Sequence, residues 1–133
     1  MIYVVHQKRS ASKLQNVQYV GRPTVLGNPF THLQANTKAM FIVPTVKDAV
    51  EQYQKWLQKE ILAEGDVFRQ LLFLTNFYRQ HKLLYLSCWC KDELDPRKWD
   101  HACHADVLKQ EIYSLVNTLD YYESLGHIWN TPE

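Results

Sequence analysis

Residues 83–90, Leu-Leu-Tyr-Leu-Ser-Cys-Trp-Cys, decide the fold of this chain because they form a nearly continuous apolar run of strand-forming residues. A strand that is apolar on both of its faces is typical of the buried middle of a parallel sheet. We therefore predict a central strand from Leu83 to Cys90. The charged segment 91–102 contains Pro96 and is predicted to be a loop.

Shorter strands and one shaped loop precede this run. Ile2 to Val5 and Val17 to Val20 are rich in β-branched and aromatic residues and are predicted to be strands. The stretch Gly21 to Phe30 holds two Gly and two Pro, which indicates a loop fixed by special backbone angles. Met40 to Val43 fits either a small strand or a packed loop.

Three helices are predicted from spacing and capping signals. Thr45 has the capping-box position for a first helix that Gly65 ends, and Asp66 can cap a second. Ala105 to Leu125 is a third helix that stops at Gly126. The expected fold class is α/β, with residues 1–133 forming one compact domain in which a small mixed or mostly parallel sheet is flanked by three main helices.

Composition limits the partners and the setting. The net charge of +1 does not indicate a bulk electrostatic grip on nucleic acid. The apolar run Ile2 to Val5 is too short for a signal peptide, and no segment is long enough to span a bilayer. Three cysteines, an odd number, fit thiols in a reducing cytoplasm rather than a disulfide framework. We expect a cytoplasmic protein with no membrane partner.

The first candidate site combines Cys88, Cys90, Cys103, His104 and Asp106. Residues two apart on a strand share a face, and the helix that begins beside Cys103 offers unpaired N–H groups and a partial positive charge. Three interpretations stay open. The three thiols and the imidazole can bind Zn²⁺, although the Cys-X-Cys spacing is not that of a standard finger. They can instead line a metal-free pocket, or they can be buried structural groups.

The second candidate site is the loop from Gly21 to Phe30. Arg22 provides a planar fork suited to phosphate or carboxylate, and the Asn28 amide can read a base edge or position a water molecule. Gly21 and Gly27 would let a ligand approach the backbone, and Phe30 would offer a stacking surface. The structural alternative places Arg22 in a salt bridge and Asn28 in its own Asx-turn.

Other residues carry weaker signals. Lys8 and Arg9 follow the first strand and form either a phosphate contact or an ordinary solvated basic loop. Trp89 is expected to point away from the two neighbouring thiols and to pack in the core. Tyr53 and Trp56 lie on the apolar face of the first helix and are also expected in the core.

Taken together, these motifs resemble the DUF4326 family, a group of small phage and bacterial proteins whose function is unknown. The resemblance covers most of the chain and is carried by the strand and basic pair of Val4 to Arg9, the turn Gly21 to Pro23, the motif Gly27 to Phe30, Tyr53, Trp56 and Leu57, the Cys-Trp-Cys of Cys88 to Cys90, and the helix start Cys103 to Leu108. It implies that the three loops form one convergent site, and a phage setting would favour nucleotide or nucleic-acid metabolism.

Two hypotheses follow from the residues and the resemblance. The first is an enzyme-like pocket for a nucleotide or modified base, with hydrolysis of an N-glycosidic bond as the reaction. Asn28 or Asp106 would position water and His104 would stabilise the leaving group. The residues assigned to ligand binding are Lys8, Arg9, Gly21, Arg22, Gly27, Asn28, Phe30 and His104, and those assigned to catalysis are His104, Asn28, Asp106 and Cys103. The second hypothesis is a non-catalytic phage binding protein or a module stabilised by zinc on the Cys/His cluster, in the host cytoplasm.

Overall fold

The computed structural model describes residues 1–7, 14–31, 41–89 and 103–126. Along these ranges four strands are followed by two helices, a fifth strand and a third helix. The elements are β1 (Ile2–His6), β2 (Val17–Tyr19), β3 (Phe30–Thr31), β4 (Phe41–Ile42), α1 (Val46–Ala63), α2 (Asp66–His81), β5 (Leu84–Cys88) and α3 (His104–Ser124).

The main sheet has β5 in its centre, with β1 and β2 parallel to it on either side. Leu84, Leu86 and Cys88 are fully buried, and strand alternation places all three on the same face. The predicted buried central strand is thus confirmed. It ends at Cys88, while the last residue of the predicted range, Cys90, lies outside the described residues.

One hydrophobic core joins the helices to this sheet. α2 packs against α3, and α3 lies against β1 and β5. The fully buried residues of this core include Ile2, Leu84 and Leu86 from the sheet, Tyr53 and Leu57 from α1, Leu71 and Leu74 from α2, and Leu108 and Ile112 from α3. The α/β fold class is confirmed, and the sheet is entirely parallel rather than mixed.

Local capping sets the helix boundaries. The Thr45 hydroxyl accepts the N–H of Asp48, as predicted for the start of α1. The helix ends one residue earlier than expected, because Glu64 takes the left-handed conformation at φ 54°. Gly65, rather than Asp66, is then the N-cap of α2, and Asp66 lies inside the first turn. No helix within the described ranges combines the length and apolar character that crossing a bilayer requires.

A second sheet consists of the two short strands β3 and β4, which pair in parallel. The rings of Phe30 and Phe41 stack with their centroids 5.3 Å apart. Of the two alternatives for residues 40–43, the small strand is the one present, at Phe41–Ile42. Phe30 is a strand residue rather than the end of a loop, which the sequence did not indicate because a two-residue strand leaves no alternation to detect.

Candidate functional site at the carboxyl edge of the sheet

Three parallel strands end at one edge of the main sheet, and the first turn of α3 lies beside that edge. The Cys88 sulfur at the end of β5 is 3.2 Å from the Cys103 sulfur, which caps α3. We call this region the carboxyl edge, and we call residues 20–30, which leave it after β2, the edge loop. Ligands of open α/β sheets bind at the carboxyl ends of the strands.

The edge loop is shaped by two consecutive turns. The N–H of Thr24 donates to the Gly21 carbonyl over 3.0 Å, and the N–H of Gly27 donates to the Thr24 carbonyl over 2.9 Å. The Tyr19 hydroxyl closes the first turn by donating to the Arg22 carbonyl over 2.6 Å. The loop therefore has a fixed backbone, as its Gly and Pro content predicts.

Arg22 ties the two ends of the edge loop together. Its Nη1 donates to the carbonyls of Asn28 and Phe30, over 3.2 and 3.4 Å. These acceptors are backbone oxygens and not the carboxylate that the structural alternative required. The hydrogen bonds that the guanidinium makes within the described ranges come from Nη1, and the residue is half-buried. A guanidinium carries five N–H donors, so these two bonds use only part of its capacity.

Asn28 holds the edge loop against α1. Its Nδ2 donates to the Ala49 carbonyl over 3.2 Å, and its Oδ1 accepts the N–H of Phe30 over 2.9 Å. The second bond is the Asx-turn that the structural alternative describes. With the side chain 8% exposed and both ends of the amide used, Asn28 shapes the loop instead of offering its amide to a base or a water molecule.

His104 and Tyr53 both bond backbone carbonyls of the edge loop from the buried side. The imidazole is 3% exposed, and its Nε2 lies 2.8 Å from the Val20 carbonyl. The Tyr53 ring packs edge-on against it at 5.2 Å, and the Tyr53 hydroxyl donates to the Leu26 carbonyl over 2.7 Å. The spacing of α1 predicts Tyr53 in the core but does not indicate this contact, although a buried tyrosine hydroxyl usually has a hydrogen-bond partner.

These contacts fix the tautomer of His104. A carbonyl only accepts, so Nε2 carries the proton that it shares with Val20. In the neutral ring Nδ1 is then the acceptor, and it faces the Cys103 sulfur at 3.7 Å. Because both ring nitrogens already face protein atoms, His104 positions the edge loop and is not placed to contact a phosphate directly. Arg22, Asn28 and His104 nevertheless lie together, on one loop and its support.

Asp106 lies in the first turn of α3, where it caps the helix as the sequence allowed. Its Oδ2 accepts the N–H of Cys103 over 3.0 Å. The same residue lines an open pocket of about 260 Å³ between α1 and α3. The walls of this pocket include Val50 and Gln54 from α1, and Cys103, Asp106, Gln110 and Glu111 from α3. Asp106 is therefore a candidate acid or base with access to solvent.

Trp89 differs from its prediction. Its side chain is 52% exposed, and its ring meets the buried His6 ring edge-on at 5.4 Å. The expectation of core packing is wrong because β5 ends at Cys88, so that the alternation of faces no longer applies one residue later. Tyr53 and Trp56, by contrast, belong to the core or pack against it, as predicted. The carboxyl edge thus presents an exposed aromatic ring.

Several predicted site residues lie outside the described residues, namely Lys8, Arg9 and Cys90. The zinc interpretation depends on Cys90 and stays a prediction. In the described part of the chain, no group of three His, Cys, Asp or Glu side chains is arranged to hold a metal ion.

Burial dominates the electrostatics of His104 and Tyr53. Burial lowers the pKa of the His104 imidazole below its usual value of 6.5, and the nearby Arg22 charge lowers it further. Cys88, the Val20 carbonyl and Asp106 act in the opposite direction. Burial also raises the pKa of Tyr53 well above 10.0. Both side chains are therefore neutral near pH 7, as their hydrogen bonds to carbonyls require.

The depressed pKa of His104 predicts a stability loss in mild acid. Below about pH 6.5 the unfolded chain takes up a proton at His104 that the folded chain refuses, so the free energy of unfolding falls by up to about 1.4 kcal/mol per pH unit from this group. Above that pH His104 is neutral in both states and does not change the free energy of unfolding with pH. His104→Gln keeps an N–H donor for Val20 and should flatten the curve. Urea unfolding between about pH 7.5 and pH 5.5 measures both proteins; equal slopes would contradict the assignment.

Fold and site together define a class: a small parallel α/β domain that holds a fixed polar loop at the carboxyl edge of its sheet. The model of a family described as a domain of unknown function, DUF4326, matches residues 4–114, from β1 into α3. The chain belongs to the DUF4326 family, as its motifs indicated. No curated protein and no solved structure matches the chain at a significant level.

Proposed function

We propose that this domain binds a nucleotide at its carboxyl edge and hydrolyses the N-glycosidic bond of that nucleotide. The observation that carries the proposal is Arg22, a half-buried residue whose guanidinium is held through Nη1 by two loop carbonyls, so that the described residues use only part of its five N–H donors. A planar fork held in this way suits a phosphate group. Its position at the carboxyl ends of parallel strands is the usual one for such a ligand.

Aromatic rings at the same edge suit the base. β1 and β2 flank β5, so Trp89, which packs on His6, and Arg22 lie toward opposite sides of the central strand. The two outer strands of such a sheet are about 10 Å apart, a span that a mononucleotide can bridge. The exposed face of Trp89 offers a stacking surface for a base, and Phe30 offers a second one beside the loop.

Asp106 is the residue best placed to activate water. In the proposed reaction water attacks the anomeric carbon, the bond to the base nitrogen breaks, and the base leaves with a proton. Both ends of the buried Asn28 amide are hydrogen-bonded to the backbone, whereas Asp106, whose Oδ2 caps α3, is a lining residue of the pocket at the start of that helix. Its proposed role is that of a general base. His104 contributes by positioning the edge loop, because its two nitrogens already face Val20 and Cys103.

A free nucleotide fits the domain better than a polynucleotide. The net charge of +1 offers little general attraction for a nucleic-acid backbone. A cytoplasmic setting belongs to the same proposal, since nucleotides are abundant there and thiols stay reduced. A phage origin rests only on the family resemblance.

Replacing Arg22 should separate phosphate binding from other contacts. We expect AMP to raise the melting temperature of the wild-type protein, because it binds only the native state. In Arg22→Ala the affinity for AMP should fall tenfold or more, a loss of about 1.4 kcal/mol or more, through the lost charge-assisted hydrogen bonds. Isothermal titration calorimetry with AMP measures this change. Arg69→Ala, which removes an exposed arginine of α2, should leave the affinity unchanged.

Adenosine provides the control for damage to the edge loop. It lacks the phosphate, so Arg22→Ala should bind it as the wild type does if Arg22 holds phosphate. Equal losses for AMP and adenosine would mean that the substitution only disorders the loop. Wild-type protein that binds neither compound would overturn the nucleotide proposal.

A further inference from the structure

Two buried thiols touch at the carboxyl edge, and they belong to different elements. The sulfurs of Cys88, at the end of β5, and Cys103, at the N-cap of α3, are 3.2 Å apart. Their side chains are 0% and 1% exposed. Two non-bonded sulfurs at this distance need to approach by only about 1.2 Å to reach the length of a disulfide bond.

The surroundings of Cys103 favour reaction at its sulfur. Its Sγ has the place that Ser, Thr, Asp or Asn usually takes at a helix start, and it accepts the N–H of Ala105 over 3.4 Å. The His104 Nδ1 lies 3.7 Å from the same sulfur. Negative charge that develops on Sγ during attack is therefore stabilised by a 21-residue helix and its first N–H groups.

A route for a small oxidant leads to the same residue. Cys103 lines the open pocket of about 260 Å³ between α1 and α3. Cys88 has no place in the lining of that pocket. This asymmetry gives the two thiols different roles, because an oxidant that enters the pocket reaches Cys103 first and Cys88 lies behind it.

We propose that Cys88 and Cys103 form a reversible disulfide when the protein meets hydrogen peroxide. The Cys103 sulfur attacks one peroxide oxygen, the O–O bond breaks, and hydroxide leaves with the thiol proton as water, so that a sulfenic acid remains. The Cys88 sulfur then attacks the sulfenic sulfur, and the hydroxyl leaves with the second thiol proton as another water. Two thiols are oxidised by two electrons, and the peroxide is reduced to two waters.

The sulfur contact can also be compared with the geometry of shared zinc. Two thiolates on a tetrahedral zinc ion stand about 3.8 Å apart, since each Zn–S bond is about 2.3 Å long. The separation of 3.2 Å between Cys88 and Cys103 is about 0.6 Å shorter than this and about 1.2 Å longer than a disulfide bond, so either use requires the sulfurs to move. The two uses of these thiols also exclude each other, because a disulfide sulfur is no longer a thiolate ligand.

Intact mass and thiol mapping test the proposal on the full chain. After treatment with hydrogen peroxide and quenching, the wild-type protein should be lighter by two hydrogen atoms. It is then denatured and alkylated, so that burial no longer protects thiols, and digested. We expect Cys88 and Cys103 to appear as one linked peptide pair that dithiothreitol separates, and Cys90 to be alkylated. Linkage through Cys90, or alkylation of all three cysteines, would overturn the proposal.

Single substitutions test the order of the two steps. In Cys88→Ser the sulfenic acid on Cys103 should persist and react with dimedone, whereas Cys103→Ser should form neither product at Cys88. Cys90→Ser is the matched control and should behave as wild type. Circular dichroism shows whether each variant folds, and the wild-type mapping decides the linkage even if one does not. Dimedone adducts on Cys88 in Cys103→Ser at the wild-type rate would overturn the assigned roles.

Discussion

Asp106→Asn is expected to lower the rate of base release from AMP by about a hundredfold or more while leaving AMP binding within about twofold of wild type. The asparagine amide oxygen can still accept the N–H of Cys103, so α3 keeps its cap. What disappears is the carboxylate that would take a proton from the attacking water. Chromatographic detection of adenine measures the rate, and calorimetry measures the affinity.

Asp66→Asn is the matched control for this substitution. Asp66 also stands in the first turn of a helix, but on α2, where it pairs with Arg69 and does not line the pocket of Asp106. Its replacement should leave adenine release unchanged. If Asp106→Asn releases adenine at the wild-type rate, Asp106 is not the base. If wild-type protein binds AMP but releases no adenine, the hydrolytic proposal fails and the binding proposal stands.

Gly27→Ala is expected to destabilise the domain by about 2 kcal/mol. A methyl group at Gly27 would lie 2.9 Å from the backbone nitrogen and Cα of Arg22 and 3.0 Å from the Thr24 carbonyl. Backbone atoms cannot move aside as a side chain can, so the turns of the edge loop must open. Urea unfolding measures the loss, and weaker AMP binding should accompany it.

Two other glycines calibrate this effect. A methyl group at Gly65 meets nothing within 4 Å, so Gly65→Ala should cost no more than about 1 kcal/mol, the usual range for a changed N-cap. At Gly21 the added methyl would meet the hydroxyl end of the Tyr19 ring at 2.5 Å. That ring can swing away, at the cost of its hydrogen bond to the Arg22 carbonyl. Equal stability losses for Gly27→Ala and Gly65→Ala would contradict the packing argument.

Periodicity and capping predicted most of the fold. The apolar run of residues 83–90 identified the central strand, because a strand buried on both faces needs no alternation. Helices α1 and α3 were recognisable from their apolar spacing and their start signals. The errors lie at element ends. β5 ends at Cys88, so Trp89 lies outside the strand that was predicted to include it, and Glu64 takes the left-handed conformation expected of glycine. Such ends depend on tertiary contacts that the local sequence does not encode.

The candidate site was predictable in its members but not in its contacts. The sequence motifs identified Arg22, Asn28 and His104 as candidate site residues, and in the structure all three contact the edge loop. Sequence spacing could not predict that His104 bonds the Val20 carbonyl or that Asn28 bonds the Ala49 carbonyl, because the partners are far apart along the chain. Residue types indicate what a side chain can bind, whereas only the fold shows which partner it has already taken.

The anchoring of the edge loop affects the association rate and the affinity of the ligand proposed for the carboxyl edge. Tyr53 and Asn28 fasten the loop to α1, and His104 fastens it to α3, before any guest arrives. The entropy of ordering this segment is thus spent during folding instead of during association. We infer that the ligand proposed for this edge does not have to order the edge loop when it binds, so this segment adds no rearrangement to the association step.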